Sequence, residues 1–158
     1  MQLLGEEAYG DIAGLAILKD KEEAHTHTRI EHLAPHTQSR QHVKTLLEGQ
    51  SISSFDGKIF IEPSAQLSNA YQLNNQCLLS KDARCYSKPN LEILADDVKA
   101  SHGCTVSRLE DENVFYLRSR GLSAKATKAL LLQAFCHEIL EKGSFGDRAY
   151  NIINNYFL

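Results

Sequence analysis

The sequence lacks long apolar runs and runs of basic residues, and each absence excludes a class of protein. No segment approaches the roughly 18 apolar residues that span a bilayer, and the first seven residues do not resemble a signal peptide. No five basic residues occur in succession, and the net charge is −3. A nucleic-acid binder needs a basic surface to replace phosphate counterions. We therefore expect a cytoplasmic protein with no nucleic-acid and no membrane partner.

Two common ligand-binding motifs are also missing. The four cysteines form no C-x-x-C pair and match no zinc spacing, so free thiols are expected in a reducing cytosol. The chain has no G-x-x-x-x-G-K-[ST] sequence, so it does not bind ATP as a P-loop protein. Its 158 residues, 42% of them hydrophobic and 23% charged, are enough for one domain with a small appendage.

Up to about residue 108 the sequence consists of short apolar or alternating runs that predict β-strands. These runs occupy residues 14–18, 28–32, 59–61, 77–79 and 91–94. Thr28, Ile30 and His32 share one face, as the two-residue period of a strand requires. Turns are predicted at Gly49, Asp56-Gly57, Pro63, Asn74-Asn75, Lys81-Asp82 and Pro89-Asn90. No exact repeat is visible, so a sandwich, a barrel and a β-helix all stay open and a solenoid is not the first choice from pattern alone.

From Glu110 onward the pattern becomes helical. Ser123 is a typical N-cap, and apolar residues follow at three- and four-residue steps over about five turns. They are Ala124, Ala126, Leu130, Leu131, Ala134, Phe135, Ile139 and Leu140. Gly143 is predicted to end this helix, and a shorter one should begin near Phe145. We therefore divide the chain into a partial β-core, 1–108, and a C-terminal helical domain, 109–158, which should pack on the β region or on a partner.

Several stretches, in this order, resemble the SufB/SufD family of iron–sulfur cluster assembly scaffold proteins, most closely the second half of its SufD branch. The two most specific are PNLEILADDVKASHG at 89–103 and FYLRSRG at 115–121. The others are TRIEHLAPHTQSRQ at 28–41, SFDGKI at 54–59, AQ at 65–66, YQLNN at 71–75 and LLS at 78–80. The SFDGKI stretch resembles the family's Phe-x-Gly strand, and the KASHG form favours the SufD side.

The resemblance implies a mainly β fold, a right-handed parallel β-helix followed by a small C-terminal α-helical domain. It also implies a non-enzymatic scaffold subunit of the SUF-type complex, which pairs through its β-helix with a SufB-like subunit and docks a SufC-like ATPase on its C-terminal helices. A homodimer through residues 98–108 is a further expectation, because open strand edges template pairing. We expect no cofactor held tightly by the isolated chain, and a transient iron ion or Fe–S cluster in the complex.

The segment Ser101-His102-Gly103-Cys104 is the best candidate for chemistry, because imidazole and thiolate both bind iron and its clusters. The resemblance places it at a subunit interface, so His102 is the predicted metal or cluster ligand. Cys104 is a weaker candidate, since the related pattern normally has alanine there. Asp96 or Asp97 is a candidate partner that would orient His102, and Gly103 would let backbone of a second subunit approach.

The remaining histidines and cysteines have simpler interpretations. Five histidines lie near one another in the sequence, namely His25, His27, His32, His36 and His42. His25 and His27 share a strand face, as a metal-binding pair would, but no third ligand follows at suitable spacing. Cys77, Cys85 and Cys136 are expected to fill the core. The alternative function is therefore a histidine-rich β-solenoid that binds a metal or a small molecule, which would need acids and bases converging in one groove.

Overall fold

The computed structural model, which describes residues 1–142 and 145–157, consists of eight strands followed by three helices. The strands are β1 (Gln2–Leu3), β2 (Tyr9–Leu18), β3 (Glu23–His32), β4 (Gln38–Leu47), β5 (Ile52–Ile61), β6 (Asn69–Leu78), β7 (Arg84–Ile93) and β8 (Lys99–Ser107). The helices are α1 (Asp111–Ser119), α2 (Ala124–Lys142) and α3 (Gly146–Phe157). Gly143, the predicted end of the long helix, lies outside the described residues. No helix in the described ranges is long and apolar enough to cross a membrane.

All strand pairs are parallel, and alternate strands form two separate sheets. The odd sheet has the order β1-β3-β5-β7 and the even sheet β2-β4-β6-β8. Tyr9 pairs with Gln38, Gln38 with Asn69 and Asn69 with Lys99, so successive coils take 29, 31 and 30 residues. The molecule is therefore a mainly β parallel solenoid of about four turns with short C-terminal helices, as the family resemblance implied.

The repeat is not visible in the sequence because the coils differ in length. Residues that stack on one another share their polarity but often not their identity. Ile30 stacks on Ile59, and Ile59 on Leu91, in the apolar core between the sheets. The predicted faces of residues 28–32 are confirmed, since Ile30 and His32 are buried. The strand prediction missed β1, β4 and β8. Three of β4's five inward residues, Ser39, Gln41 and Thr45, are polar, so no apolar alternation marks it.

Three of the predicted turns are wrong. Asp56-Gly57, Asn74-Asn75 and Pro89-Asn90 lie inside β5, β6 and β7. Neighbouring coils there pair with the backbone in register, and this tertiary pairing overrides local turn propensity. By contrast, Gly49, Pro63 and Lys81-Asp82 do lie in turns between strands.

The corners of successive coils repeat the same backbone conformation. Three residues that precede even strands have left-handed φ values of 61°, 59° and 61°, namely Glu7, His36 and Leu67. The N–H of each donates to a carbonyl of the next coil, on Pro35, Gln66 and Asp97 respectively. At the other corner, Asp20 (φ 52°) and Gly49 (φ 73°) are equivalent. A Cβ on Gly49 would lie only 2.9 Å from the Asp20 Cα, so this corner requires glycine.

The helices lie on the outer face of the even sheet and do not cover the end of the solenoid. Leu132 and Cys136 of α2 form one buried cluster with Leu46 of β4 and Cys77 of β6. The ammonium of Lys44, a residue only 2% exposed, donates to the Phe135 carbonyl at 3.0 Å and pairs with Glu138. Because this pair is shielded from water on the lysine side, it fixes where α2 sits on the sheet.

The predicted start of α2 is confirmed, but its predicted apolar face is only partly right. The Ser123 hydroxyl accepts a hydrogen bond from the Ala126 N–H at 3.2 Å, which is N-cap geometry. Ile139 and Leu140 are buried, whereas Leu130 and three alanines of the set, Ala124, Ala126 and Ala134, are exposed. Apolar residues lie all round this helix, so contact with the sheet selects the buried face. The boundary proposed at 108 falls between β8 and α1, and the division of the chain into two domains stays a prediction.

Replacing Gly49 with alanine should lower the free energy of unfolding by about 1–3 kcal/mol, because a side chain is disfavoured at positive φ and its Cβ would press on Asp20. Urea unfolding followed by circular dichroism measures this change. Gly5→Ala is the matched control, since no atom lies within 4 Å of a Cβ built there, and it should change the free energy by less than about 0.5 kcal/mol. Equal losses in both variants would contradict the account of this corner.

Candidate functional site

The open end of the solenoid carries the predicted site residues. His102 and Cys104 belong to β8, the last strand of the even sheet. Within the described residues, no strand pairs with the outer edge of β7 or of β8. Because the helices pack elsewhere, both side chains are exposed at this end.

Register shows which way His102 and Cys104 point. His102 pairs with Gln72 and Cys104 pairs with Asn74, and both of those residues are fully buried inside the solenoid. Paired residues of parallel strands in register project to the same face. Ala100, two positions earlier, packs on the apolar core. His102 and Cys104 therefore stand on the interior side of the last coil, where no further coil covers them.

The two acidic residues proposed to orient His102 are too far away. Asp96 and Asp97 lie in the corner before β8, which begins at Lys99. The three extended steps from Lys99 to His102 already span about 10 Å. Asp97 instead stabilises the corner, where its N–H donates to Gln66 Oε1 at 2.9 Å. Those two residues are thus excluded as hydrogen-bond partners of His102.

Gly103 has a neighbour within its own solenoid. A Cβ there would lie 2.9 Å from Leu73 Cδ1, so the glycine makes room for the coil below. The approach of a second subunit at Gly103 stays a prediction.

The cysteines divide into a buried pair and a pair at the open end. Cys77 and Cys136 are buried, as predicted, and burial raises the pKa of Cys136 to about 12. Cys85 is only half-buried and belongs to β7, on the interior side of the last coil. Burial, followed by the charge of Cys104, raises the pKa of Cys85, so the two thiols are close enough to interact. The prediction that Cys85 fills the core is right in part, since it packs on the buried cluster of Leu18, Leu47 and Ala83. Sequence reasoning missed Cys104 as its neighbour.

The five clustered histidines do not form a common site. His25 and His27 are exposed on the outer face of β3, and His25 contacts Ser54 Oγ at 2.7 Å. His36 occupies a corner, and His42 contacts Asn75 Oδ1 at 2.7 Å on the even sheet. No three His, Cys, Asp or Glu side chains converge on a metal-sized site anywhere in the described ranges.

His32 differs from the others because it is fully buried. Its ring nitrogens lie 2.8 Å from Thr37 Oγ1 and 2.8 Å from Ser39 Oγ. Burial lowers the pKa of this imidazole below its ordinary value. The residue is therefore a neutral part of the interior rather than a metal ligand.

A line of buried amides runs through the interior and was missed by sequence reasoning. Gln72 Nε2 donates to Gln41 Oε1 at 2.9 Å, and Gln41 Nε2 donates to Thr28 Oγ1 at 2.6 Å. Among the described residues no partner contacts Gln72 Oε1, Asn74 Oδ1 or either side-chain polar atom of Gln76. The polar alternation of Gln72, Asn74 and Gln76 is the signal that would have indicated a polar interior.

Two grooves of about 550 Å³ each lie on the outer face of the even sheet, and neither is lined by His102 or Cys104. Both are lined by Tyr9, Arg40 and Tyr71. The one carboxylate in them, on Asp11, accepts a hydrogen bond from the Tyr9 hydroxyl at 2.9 Å. The second groove is also lined by His42, which contacts Asn75 Oδ1 at 2.7 Å, so Asp11 and His42 are both engaged with neighbouring side chains.

Comparison with known proteins identifies relatives along most of the chain. The family model described as SUF system FeS cluster assembly, SufBD core domain, matches residues 1–135. A SufBD family iron–sulfur cluster assembly protein of Synechocystis is 42% identical over 132 residues, 84% of this chain and 29% of the relative. The iron–sulfur cluster assembly protein SufD of Escherichia coli is 39% identical over 140 residues, 89% of this chain and 33% of the relative. A chloroplastic protein of Arabidopsis thaliana is 34% identical over 145 residues, 90% of this chain and 30% of the relative. The chain thus spans about a third of the length of these relatives.

The buried His32 predicts a pH dependence of stability. Its pKa is lowered from 6.5 by burial, so below that pH the unfolded chain takes up a proton more readily than the folded one. The free energy of unfolding should therefore be highest above pH 6.5 and fall as pH decreases toward the lowered pKa, by at most about 1.4 kcal/mol per pH unit. Urea unfolding of the wild type and of His32→Gln between pH 7.5 and 5 measures this slope.

The exposed His27 on the same strand provides the control. His27→Gln should keep the wild-type slope, whereas His32→Gln should lose the part contributed by the buried imidazole. An unchanged slope in His32→Gln would show that this histidine is not responsible.

Proposed function

This chain belongs to the SufBD family of iron–sulfur cluster assembly proteins, and we propose that it is a scaffold subunit of a SUF-type complex rather than an enzyme. The observation that carries the proposal is the open last coil, which presents His102 and Cys104 beside unpaired strand edges. Such an end suits a subunit whose site is completed by a partner. We assign it to the cytoplasm, although one relative is chloroplastic.

The geometry of the last coil favours β8 as the strand that pairs with a SufB-like subunit. In β7, the N–H groups of Arg84 and Leu94 donate to the carbonyls of Ser51 and Ile61, on the side of β5. Successive residues of a strand direct their N–H groups to opposite sides, so the odd-numbered positions of β7, including 89, face the free edge. Pro89 has no N–H, which interrupts donation from that edge. In β8, the Lys99 N–H donates to Ser68 O at 3.0 Å, so the N–H of His102 belongs to the set on the free edge. A homodimer would use the same β8 edge.

Apolar side chains at this end support burial against a partner. Ile93, Leu94 and Val106 are all exposed at or next to the last coil. Exposed apolar groups beside an unpaired strand are the features that strand addition covers.

Iron, or a nascent cluster, is the cargo that His102 would hold, and Cys104 is a weaker candidate ligand. Imidazole and thiolate are both established ligands of Fe–S clusters. Since no three ligands converge within the described part of the chain, the SufB-like partner would supply the rest. The isolated chain should then bind iron weakly, and the assembled complex should bind it well.

The helices offer a separate surface for a SufC-like ATPase. Within α1 no residue is buried, and Phe115 and Tyr116 are 75% and 57% exposed. Leu130 of α2 is exposed as well. We call Phe115, Tyr116 and Leu130 the helical surface, and exposed apolar residues of this kind mark protein contacts. Deleting the helices would also uncover Lys44 and Leu46, so point substitutions test docking more cleanly.

Replacing His102 with alanine should lower cluster yield about tenfold or more in a complex with SufB-like and SufC-like subunits, because a ligand is lost. Complex formation and ATP hydrolysis should stay nearly unchanged, since the His102 side chain is exposed. Cys104→Ala is the matched variant on the same strand face and should have little effect. Iron and acid-labile sulfide are measured after anaerobic reconstitution. Normal yield from His102→Ala would refute the ligand assignment, and stoichiometric iron on the isolated chain would favour a metal-binding protein instead.

Replacing Phe115 and Tyr116 together with serine should weaken binding of the ATPase by roughly tenfold or more, because large exposed aromatic residues often dominate interface energies. Calorimetric titration of the ATPase into the chain measures the dissociation constant. Glu112→Gln, on the same helix and also exposed, should leave it within about twofold. Unchanged affinity in the double variant, with the fold intact by circular dichroism, would place docking elsewhere.

A further inference from the structure

The buried amide line inside the solenoid has a direction, and it ends beneath His102. Gln41 gives its amide N–H to Thr28, so its oxygen faces the coil above and accepts from Gln72. The nitrogen of Gln72 is therefore directed toward the coil below, and its oxygen is left on the side of the last coil. The residue paired with Gln72 in that coil is His102.

The oxygen of Gln72 has no partner although the residue is fully buried. Buried carbonyl oxygens without a hydrogen bond are uncommon, because removing them from water costs free energy that only a donor recovers. The nearest candidate amide in β6, on Asn74, donates to Ser87 Oγ at 2.8 Å. A donor from the neighbouring coil is thus what this oxygen lacks.

The chain also makes room for the Gln72 side chain. A Cβ on Gly57, in β5 across the interior, would lie 2.5 Å from Gln72 Nε2 and 2.5 Å from Phe55 Cζ. The Phe-x-Gly sequence at residues 55–57 therefore leaves the volume that the amide occupies. Thr28, Gln41, Gly57, Gln72 and His102 come from four separate stretches that carry the family resemblance, and they meet along one line of the interior.

We propose that Gln72 is a positioning residue for His102, with its Oε1 accepting the N–H of one imidazole nitrogen. Paired strands are about 4.8 Å apart, a separation that an amide and an imidazole on the same face can bridge with a hydrogen bond. Holding the proton on the inner nitrogen leaves the lone pair of the other nitrogen directed out of the solenoid end. A hydrogen-bond partner of this kind, on the nitrogen that does not bind the metal, fixes the tautomer of a metal-binding histidine. The claim that this outward lone pair binds iron rests on the proposed function.

The test of positioning needs no metal and no partner. Long-range proton–nitrogen NMR spectra of the isolated chain, at about pH 8 where an ordinary imidazole is neutral, report which nitrogen of His102 carries the proton. We expect one dominant tautomer in the wild type and a shift of the tautomer ratio by about fivefold to tenfold in Gln72→Leu, the size of one hydrogen bond.

Gln76→Leu is the matched control. Gln76 lies on the same strand and is equally buried, with neither polar atom partnered, but it pairs with Val106. Its replacement should leave the His102 tautomers unchanged. An equal mixture of tautomers in the wild type, or the same ratio in Gln72→Leu, would overturn the inference. Near-equal tautomers in the wild type would overturn the inference even if Gln72→Leu fails to fold.

Cluster assembly separates this inference from the proposed function. In the complete complex, Gln72→Leu should lower cluster yield by less than His102→Ala does, and Gln76→Leu should not lower it. If the tautomer shifts but His102→Ala gives normal yield, the positioning stands and the ligand role fails. If His102→Ala lowers the yield but the tautomer ratio of His102 is unchanged in Gln72→Leu, the ligand role stands and the positioning fails.

Discussion

Stacking of each coil in register on the coil before it is the constraint on which the rest of the structure depends. Every strand from β2 to β8 finds its backbone partners about 30 residues away along the chain. The corners must therefore repeat their conformation, as Glu7, His36 and Leu67 do. Interior side chains must also suit the residue above and below, which is why buried glutamines occur one over the other at positions 41 and 72.

The same constraint explains what could be predicted from the sequence. Features set by near neighbours were predicted correctly, including the alternation around Ile30, the turn at Gly49 and the N-cap at Ser123. Features set by distant neighbours were not. Asp56-Gly57 has strong turn propensity but pairs with residues in the coils below and above, and that pairing decides its conformation. The solenoid itself was predicted from family resemblance, because coils of unequal length leave no visible period.

The candidate site shows a similar division. Resemblance indicated His102 and Cys104, but only register shows that both face the interior of an uncovered coil. The acidic partners suggested for His102 were near in sequence and far in space, whereas Gln72 is 30 residues away and directly paired. Cys85 was assigned to the core because apolar surroundings are the commonest place for a free cysteine. Its position beside Cys104 depends on how the last two strands face each other.

The single proline in β7 limits how this molecule can grow into assemblies. A solenoid end with two complete strand edges would let further coils, or whole chains, add one after another into a fibre. Here one edge, on β8, offers an uninterrupted set of donors, and the other is broken at Pro89. At this end of the solenoid, an association through β8 alone, with each chain contributing the same edge, would consume that edge in both chains. Addition of further coils beyond the last one is thus limited to one of its two strand edges.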